Sequence, residues 1–178
     1  MSFMRWLPTF LGFPIGGYLA TQIVGSLHDP ATAAAGGLVA GAIIGGAQWL
    51  ALRSAGMGPR WAGYTATAMA AGSALAATVT GAGTEVADVM VWGLVTGATV
   101  GAAQSALLAR GARVSAAWTA LTAAGWSLGW LVTSQVIVDI ERGHHVFGSS
   151  GALVVTLLTG LALRHLLATP RPVAAQSA

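Results

Sequence analysis

The stretch Gly37-Leu38-Val39-Ala40-Gly41-Ala42-Ile43-Ile44-Gly45-Gly46-Ala47-Gln48 decides the fold, and it recurs as Gly93-Leu94-Val95-Thr96-Gly97-Ala98-Thr99-Val100-Gly101-Ala102-Ala103-Gln104. Eight of the twelve positions are identical, at an offset of 56 residues. Neither copy carries a charge, and each lies in an apolar run of the roughly 20 residues that a helix needs to cross about 30 Å of hydrocarbon. Gly37, Gly41 and Gly45 recur every fourth residue, as do Gly93, Gly97 and Gly101. On an α-helix this spacing lines one stripe and lets a neighbouring backbone approach closely. The stretch therefore predicts a membrane-spanning helix held to its neighbour by backbone contact, and the chain makes it at least twice.

A second echo lies outside the first. Gly12-Phe13-Pro14-Ile15-Gly16 aligns with Gly125-Trp126-Ser127-Leu128-Gly129, and Thr21-Gln22-Ile23-Val24 with Ser134-Gln135-Val136-Ile137. The offset is 113, about twice 56. Gly72 and Thr78 place the third apolar segment midway, while the sixth has largely lost the signature. Six spans are read, over residues 7–27, 31–52, 61–82, 87–108, 114–138 and 146–168, with a tail over 169–178. The polar breaks between them are too short for a soluble domain, so residues 1–178 form one membrane domain. The expected fold is all-α: six transmembrane helices as three repeated hairpins, with approximate threefold pseudo-symmetry about the membrane normal. Two-helix repeats each start on the same side, so they run parallel rather than inverted.

Composition agrees. Of 178 residues 55% are hydrophobic and only 7% charged, at a mean hydropathy of +0.72. A soluble domain carries about 25% charged residues to cover its surface, so the lipid bilayer is the expected partner of most of the outside. The net charge of +3 does not point to nucleic acid, because all eight basic residues are arginines scattered singly or in pairs. No cysteine is present, which removes disulfides, thiolate catalysis and thiolate metal ligation. The N-terminus runs into the first apolar segment without an obvious cleavage site, so that segment is expected to be retained.

Arg5, Arg53, Arg60, Arg110, Arg113, Arg164 and Arg171 fall at the two termini and in the second and fourth breaks; only Arg142 lies elsewhere. Asp29, Glu85, Asp88, Asp139 and Glu141 all fall at the other three breaks. The positive-inside rule then puts both termini in the cytoplasm, with Trp6, Trp49, Trp61 and Trp118 near the same boundary. Arginine without lysine suits a GC-rich bacterial genome, so the expected location is a bacterial cytoplasmic (inner) membrane.

Candidate functional residues form three sets. Gln48 and Gln104 are equivalent near the cytoplasmic ends of the second and fourth spans, as are Gln22 and Gln135 near the outer ends of the first and fifth. Buried amides in a membrane must be bonded or face water, so these four either fix helix register or line a polar path. The glycine stripes (Gly12, Gly16, Gly37, Gly41, Gly45, Gly93, Gly97, Gly101, Gly125 and Gly129) are read as packing surfaces, with a pore lining or oligomer seam as the alternative. His28, Asp29, Glu85, Asp88, Asp139, Glu141, His144 and His145 gather at the outer rim. Imidazoles and carboxylates suit divalent metals and proton coupling, yet the spacing matches no metal signature, and solvated loop residues are the expectation. Trp126 and Trp130 lie deeper, as packing residues or as a platform for a pigment, quinone or lipid-like ligand. No acid or arginine sits deep in a span, and there is no phosphate loop, nucleophile elbow or HExxH. The sequence therefore predicts no enzyme, no catalytic residue, no metal and no cofactor.

Residues 41–53 resemble the GxxxGxxQWxxLR signature of small, largely uncharacterised multi-pass bacterial membrane proteins. The second copy departs from it with Ser105 in place of Trp49 and Arg110 one residue late. The resemblance implies a repeated-hairpin bundle and carries no activity. Size and span count are also similar to the substrate-binding subunits of energy-coupling-factor vitamin transporters. Two main readings follow. The first is a non-enzymatic accessory, assembly or oligomer-forming subunit with a membrane protein partner or second copy, which predicts a bundle without a cavity. The second is a small transporter, channel or substrate-binding subunit for an uncharged or weakly polar solute, which predicts a glutamine-lined cavity. A distant third is an enzyme at the outer rim.

Overall fold

The computed structural model describes residues 2–136 and 147–168. Its elements in order are a single turn α1 (Phe3–Trp6), a 3-10 helix (Leu7–Leu11), α2 (Gly12–Val24), α3 (Pro30–Leu52), a 3-10 turn (Arg53–Ala55), α4 (Arg60–Thr80), α5 (Val86–Leu108), α6 (Ala112–Val136) and α7 (Ser149–Ala168). The described residues are helical, with no strand among them.

The first segment differs from expectation. Where one helix was read over 7–27, the chain makes a turn, a 3-10 stretch and then an α-helix of 13 residues. Pro8 sits in the first turn of the 3-10 helix, where its missing N–H leaves no intrahelical partner wanting. The far end stops at Gly25, whose φ of +86° is open to glycine at little cost.

The start of α3 is fixed by its sequence. The Asp29 carboxylate accepts the backbone N–H of Ala31 at 2.7 Å and of Thr32 at 2.9 Å, while the Thr32 hydroxyl bonds the Asp29 N–H at 3.2 Å. This is a reciprocal capping box, with Pro30 as the first helical residue. The Thr32 N–H is the main reason the Asp29 carboxyl is held below the ordinary aspartate range. Slight desolvation opposes it, and the Ala31 N–H, the Thr32 hydroxyl and His28 add to the lowering. A lowered folded-state value gives stability that is complete above the unfolded pKa and lost as pH falls through the folded one. The melting-temperature difference between the protein and Asp29→Ala should therefore be constant near neutrality and shrink in the acid range below about pH 4. A difference that persists unchanged to the acid limit would remove the cap from the account.

Neighbouring helices are antiparallel and meet through glycine. Along α3, Gly37, Gly41 and Gly45 lie against Met69, Ala66 and Ala62 of α4. Along α5, Gly93, Gly97 and Gly101 lie against Trp126, Ala123 and Thr119 of α6. A methyl added at Gly41 would stand 2.8 Å from the Ala66 Cα, and one at Gly97 2.7 Å from the Thr122 carbonyl oxygen. Gly12 and Gly16 meet Ile44 and Ala40 of α3 in the same way, and Gly129 meets Gly151 of α7. Gly125 does not share this role: a methyl there would meet only Leu158, at 3.7 Å. Finally α7 returns to the first segment. The Trp6 Nε1–H donates to the Thr156 carbonyl at 2.9 Å, and Gly160 lies against the Trp6 ring. The helices thus form a closed ring.

The distribution of side chains is inverted relative to a water-soluble bundle. Leu38, Leu50, Leu75, Val79, Leu94, Leu128 and Leu161 are exposed, while Gln48, Gln104, Thr65, Thr96, Thr122 and Thr133 are buried. Such a surface is apolar enough to prefer lipid, and small residues inside let the backbones close. Three helical stretches, Pro30–Ala55, Val86–Leu108 and Ser149–Ala168, are long and apolar enough to cross a membrane. The helices α4 and α6 are 21 and 25 residues long but richer in alanine, threonine and serine, which lowers their hydropathy.

Candidate functional site

Buried polarity concentrates where α3, α4 and α5 meet. Gln48 lies near the end of α3, Trp61 and Thr65 occupy the first turns of α4, and Gln104 lies near the end of α5. The Trp61 Nε1–H donates to the Gln48 Oε1 at 3.0 Å. The Gln104 Nε2 donates to the same oxygen at 3.1 Å and to the Thr65 hydroxyl at 3.0 Å. Thr65 in turn donates to the Trp61 carbonyl at 2.8 Å. Because two donors converge on one Gln48 atom, that atom must be its oxygen. The node ties three helices together, and both amides are almost completely buried.

The equivalent place on α6 is occupied but not bonded. Trp118 and Thr122 repeat the spacing of Trp61 and Thr65, and Thr122 donates to the Trp118 carbonyl at 2.8 Å. The Trp118 Nε1–H, however, is buried without a partner. Trp6, Trp61 and Trp118 share one buried cluster with Leu52, Leu108 and Leu163.

Toward the other end of the bundle lies a cavity of about 50 Å³, bounded by residues of α2, α3, α4, α5 and α6 and by Phe147. Its wall is aromatic. Phe147 lies 5.3 Å from Phe13, 5.8 Å from Trp126 and 5.0 Å from Trp130, the last edge-on. Phe13 and Trp126 also meet edge-on, at 5.3 Å. Edge-to-face rings of this kind add about 0.5–1.5 kcal/mol per pair beyond their burial. Hydroxyl residues on the wall are Thr21, Ser73 and Thr96; Thr96 is 1% exposed, and its hydroxyl has no partner.

The four glutamines do not share one path. Gln48 and Gln104 meet in the node, whereas Gln22 and Gln135 are exposed near the ends of α2 and α6, the latter donating to the Ser134 hydroxyl at 3.3 Å. The cavity corrects both sequence expectations: the interior is not solid, and no glutamine lines its void. Trp126 and Trp130 are buried in the core and form part of the wall.

At the rim, His28 Nε2 lies 3.2 Å from the Asp29 carboxylate, which is engaged as the α3 cap. Glu85 is the N-cap residue of α5 without a side-chain bond, and Asp88 lies in its first turn. Among the described residues, no group of three or more histidine, aspartate or glutamate side chains is placed to hold a metal. Asp139, Glu141, His144 and His145 lie outside the described residues. Sequence reasoning missed Trp61, Thr65, Phe13 and Phe147 as site residues. The recurrence of Trp61/Thr65 as Trp118/Thr122, 57 residues on, was the signal that would have found the first two. No protein family, curated protein or solved structure matches the chain.

Proposed function

We propose that this chain is a six-span bundle of the bacterial cytoplasmic membrane, termini inside, acting as a non-enzymatic accessory or assembly subunit. Three copies of a helical hairpin (α2–α3, α4–α5 and α6–α7) would build it. Gly16, Gly72 and Gly129 support that reading: they stand 56 and 57 residues apart, and each presses on the next helix, near Ala40, Thr96 and Gly151 respectively. Trp6, Trp61 and Trp118 also recur at 55 and 57 residues and are buried to the same degree. The resemblance of residues 41–53 to small multi-pass bacterial membrane proteins agrees with it.

The observation that carries the function is the closed glutamine node. Its amides are engaged between helices, so they hold the scaffold together and are not free to coordinate a passing solute. What remains for partners is an exterior of leucine, valine and isoleucine around that node. Native mass spectrometry of the protein gently extracted from its own membrane tests this. A stoichiometric protein partner or a discrete homo-oligomer is expected; a monomer carrying one defined small molecule would sink it.

The cavity favours a second reading, a binding subunit for a small, mostly apolar solute, with Thr96 as its polar contact. A buried hydroxyl left unbonded costs about 1–3 kcal/mol. If the cavity is idle, Thr96→Val should stabilise the purified protein by about 1 kcal/mol, read as a higher melting temperature. Loss of stability, together with loss of a co-purifying molecule, would instead support the binding reading.

A further inference from the structure

Arg5 and Arg53 come from segments far apart in sequence, yet both line a groove of about 560 Å³ between the first segment and the end of α3. The groove floor holds Thr9, which is 4% exposed and whose hydroxyl has no partner. Its sides are apolar, from Met4, Pro8, Ala47 and Leu50, and Met4 and Leu50 are exposed. Neither arginine has a carboxylate in ion-pair reach among the described residues. Two guanidiniums, one idle hydroxyl and an apolar flank have the chemistry of one kind of ligand. Guanidinium forks match phosphate oxygens geometrically, the hydroxyl supplies a further donor, and the flank accepts hydrocarbon.

We propose that this groove binds an anionic phospholipid, its phosphate held by Arg5, Arg53 and the Thr9 hydroxyl and its acyl chain lying against Leu50 and Met4. The choice of a lipid over a free anion rests on the continuity of the charged pair with exposed apolar surface. It also rests on the six-span reading, which puts both arginines at the cytoplasmic interface, where basic pockets between helices meet anionic headgroups.

The test uses the full chain in mixed micelles, titrated with dioleoyl-phosphatidylglycerol or dioleoyl-phosphatidylcholine and read by native mass spectrometry. Phosphatidylglycerol should bind in preference, and Arg5→Gln/Arg53→Gln should weaken it roughly 30-fold, as two interfacial basic residues contribute. Thr9→Val should weaken it by a smaller factor. Arg60→Gln/Arg113→Gln, which alters interfacial arginines outside the groove, should leave it unchanged. Equal loss in both double variants would overturn the proposal, because general surface charge would then explain the binding. Displacement by millimolar inorganic phosphate would also overturn it, assigning the site to a free anion. Should the double variant fail to fold, Arg53→Gln alone carries the comparison, with about a fivefold loss expected. Topology is read separately: a single thiol introduced as Ser54→Cys should resist membrane-impermeant labelling in intact cells. Labelling from outside would overturn the six-span orientation, whereas protection with no lipid preference would overturn the groove assignment alone.

Discussion

Gly41→Leu is expected to prevent stable assembly of the bundle, whereas Gly63→Leu should fold normally. The two positions differ in what stands opposite: Gly41 is buried in the middle of α3, and Gly63 is exposed in the first turn of α4. A first side-chain carbon at Gly41 would meet the Ala66 Cα at 2.8 Å, the Met69 Cβ at 2.9 Å and the Thr65 carbonyl at 3.1 Å; at Gly63 it would meet nothing within 4 Å. Two of those three obstacles are backbone, so no rotamer change relieves them. Even Gly41→Ala forces the α3–α4 seam apart, and overpacking of this kind costs about 1–3 kcal/mol. Leucine adds three more carbons to a space that lacks room for one, and helix association in lipid relies on that close contact. Gly97→Leu should behave the same way, since its neighbours on α6 stand at 2.7 Å and 2.9 Å. Melting in detergent, with size-exclusion profiles for each variant, checks the prediction. Comparable stability of Gly41→Leu and Gly63→Leu would mean that the stripes are not the seams.

Gln48→Leu should be the next most damaging. The substitution leaves the buried Trp61 Nε1–H without an acceptor and removes one of the two partners of the Gln104 amino group. Interhelical hydrogen bonds in membrane proteins contribute about 0.6 kcal/mol each on average and up to about 1.7. A loss of about 1–3 kcal/mol follows once the stranded donor is included. The double variant Gln48→Leu/Gln104→Leu should be less damaging than the sum of the singles, because each single strands groups that the double removes. A sharper comparison uses the tryptophans. Both Trp61→Phe and Trp118→Phe lose buried ring volume, but Trp61→Phe also loses a bond whereas Trp118→Phe removes a buried N–H that has no partner, so the first should destabilise more. Equal effects of the two would contradict the node's geometry.

Much of the packing is legible in the sequence, because the requirement for glycine is local: only hydrogen fits where backbones touch, and the four-residue spacing names the face, though Gly125 shares the spacing without the contact. Gln48 and Gln104 were equally visible as equivalent buried amides. What the sequence did not reveal was their relation to each other, since matching positions on α3 and α5 say nothing about whether the fold brings those ends together. Gln22 and Gln135 looked equivalent for the same reason, and they lie exposed at separate helix ends. The cavity was hidden for another reason. It is bounded by five helices and Phe147, and the space left between aromatic rings depends on their mutual tilt, which leaves no trace in periodicity. The break-up of the first span was written in Pro8, but hydropathy alone smooths over a change from 3-10 to α geometry.

The closing of the ring sets an order in time. Trp6 leaves the ribosome well before its partner, because the carbonyl it bonds belongs to Thr156, 150 residues later. At synthesis rates of about 5–20 residues per second, the indole waits on the order of ten seconds for its acceptor. Throughout that interval the segment around Trp6 lacks its final neighbour on α7. A nascent chain arrested before α7 emerges should therefore hold the segment Phe3–Val24 open to protease while the α3–α4 seam is already shut.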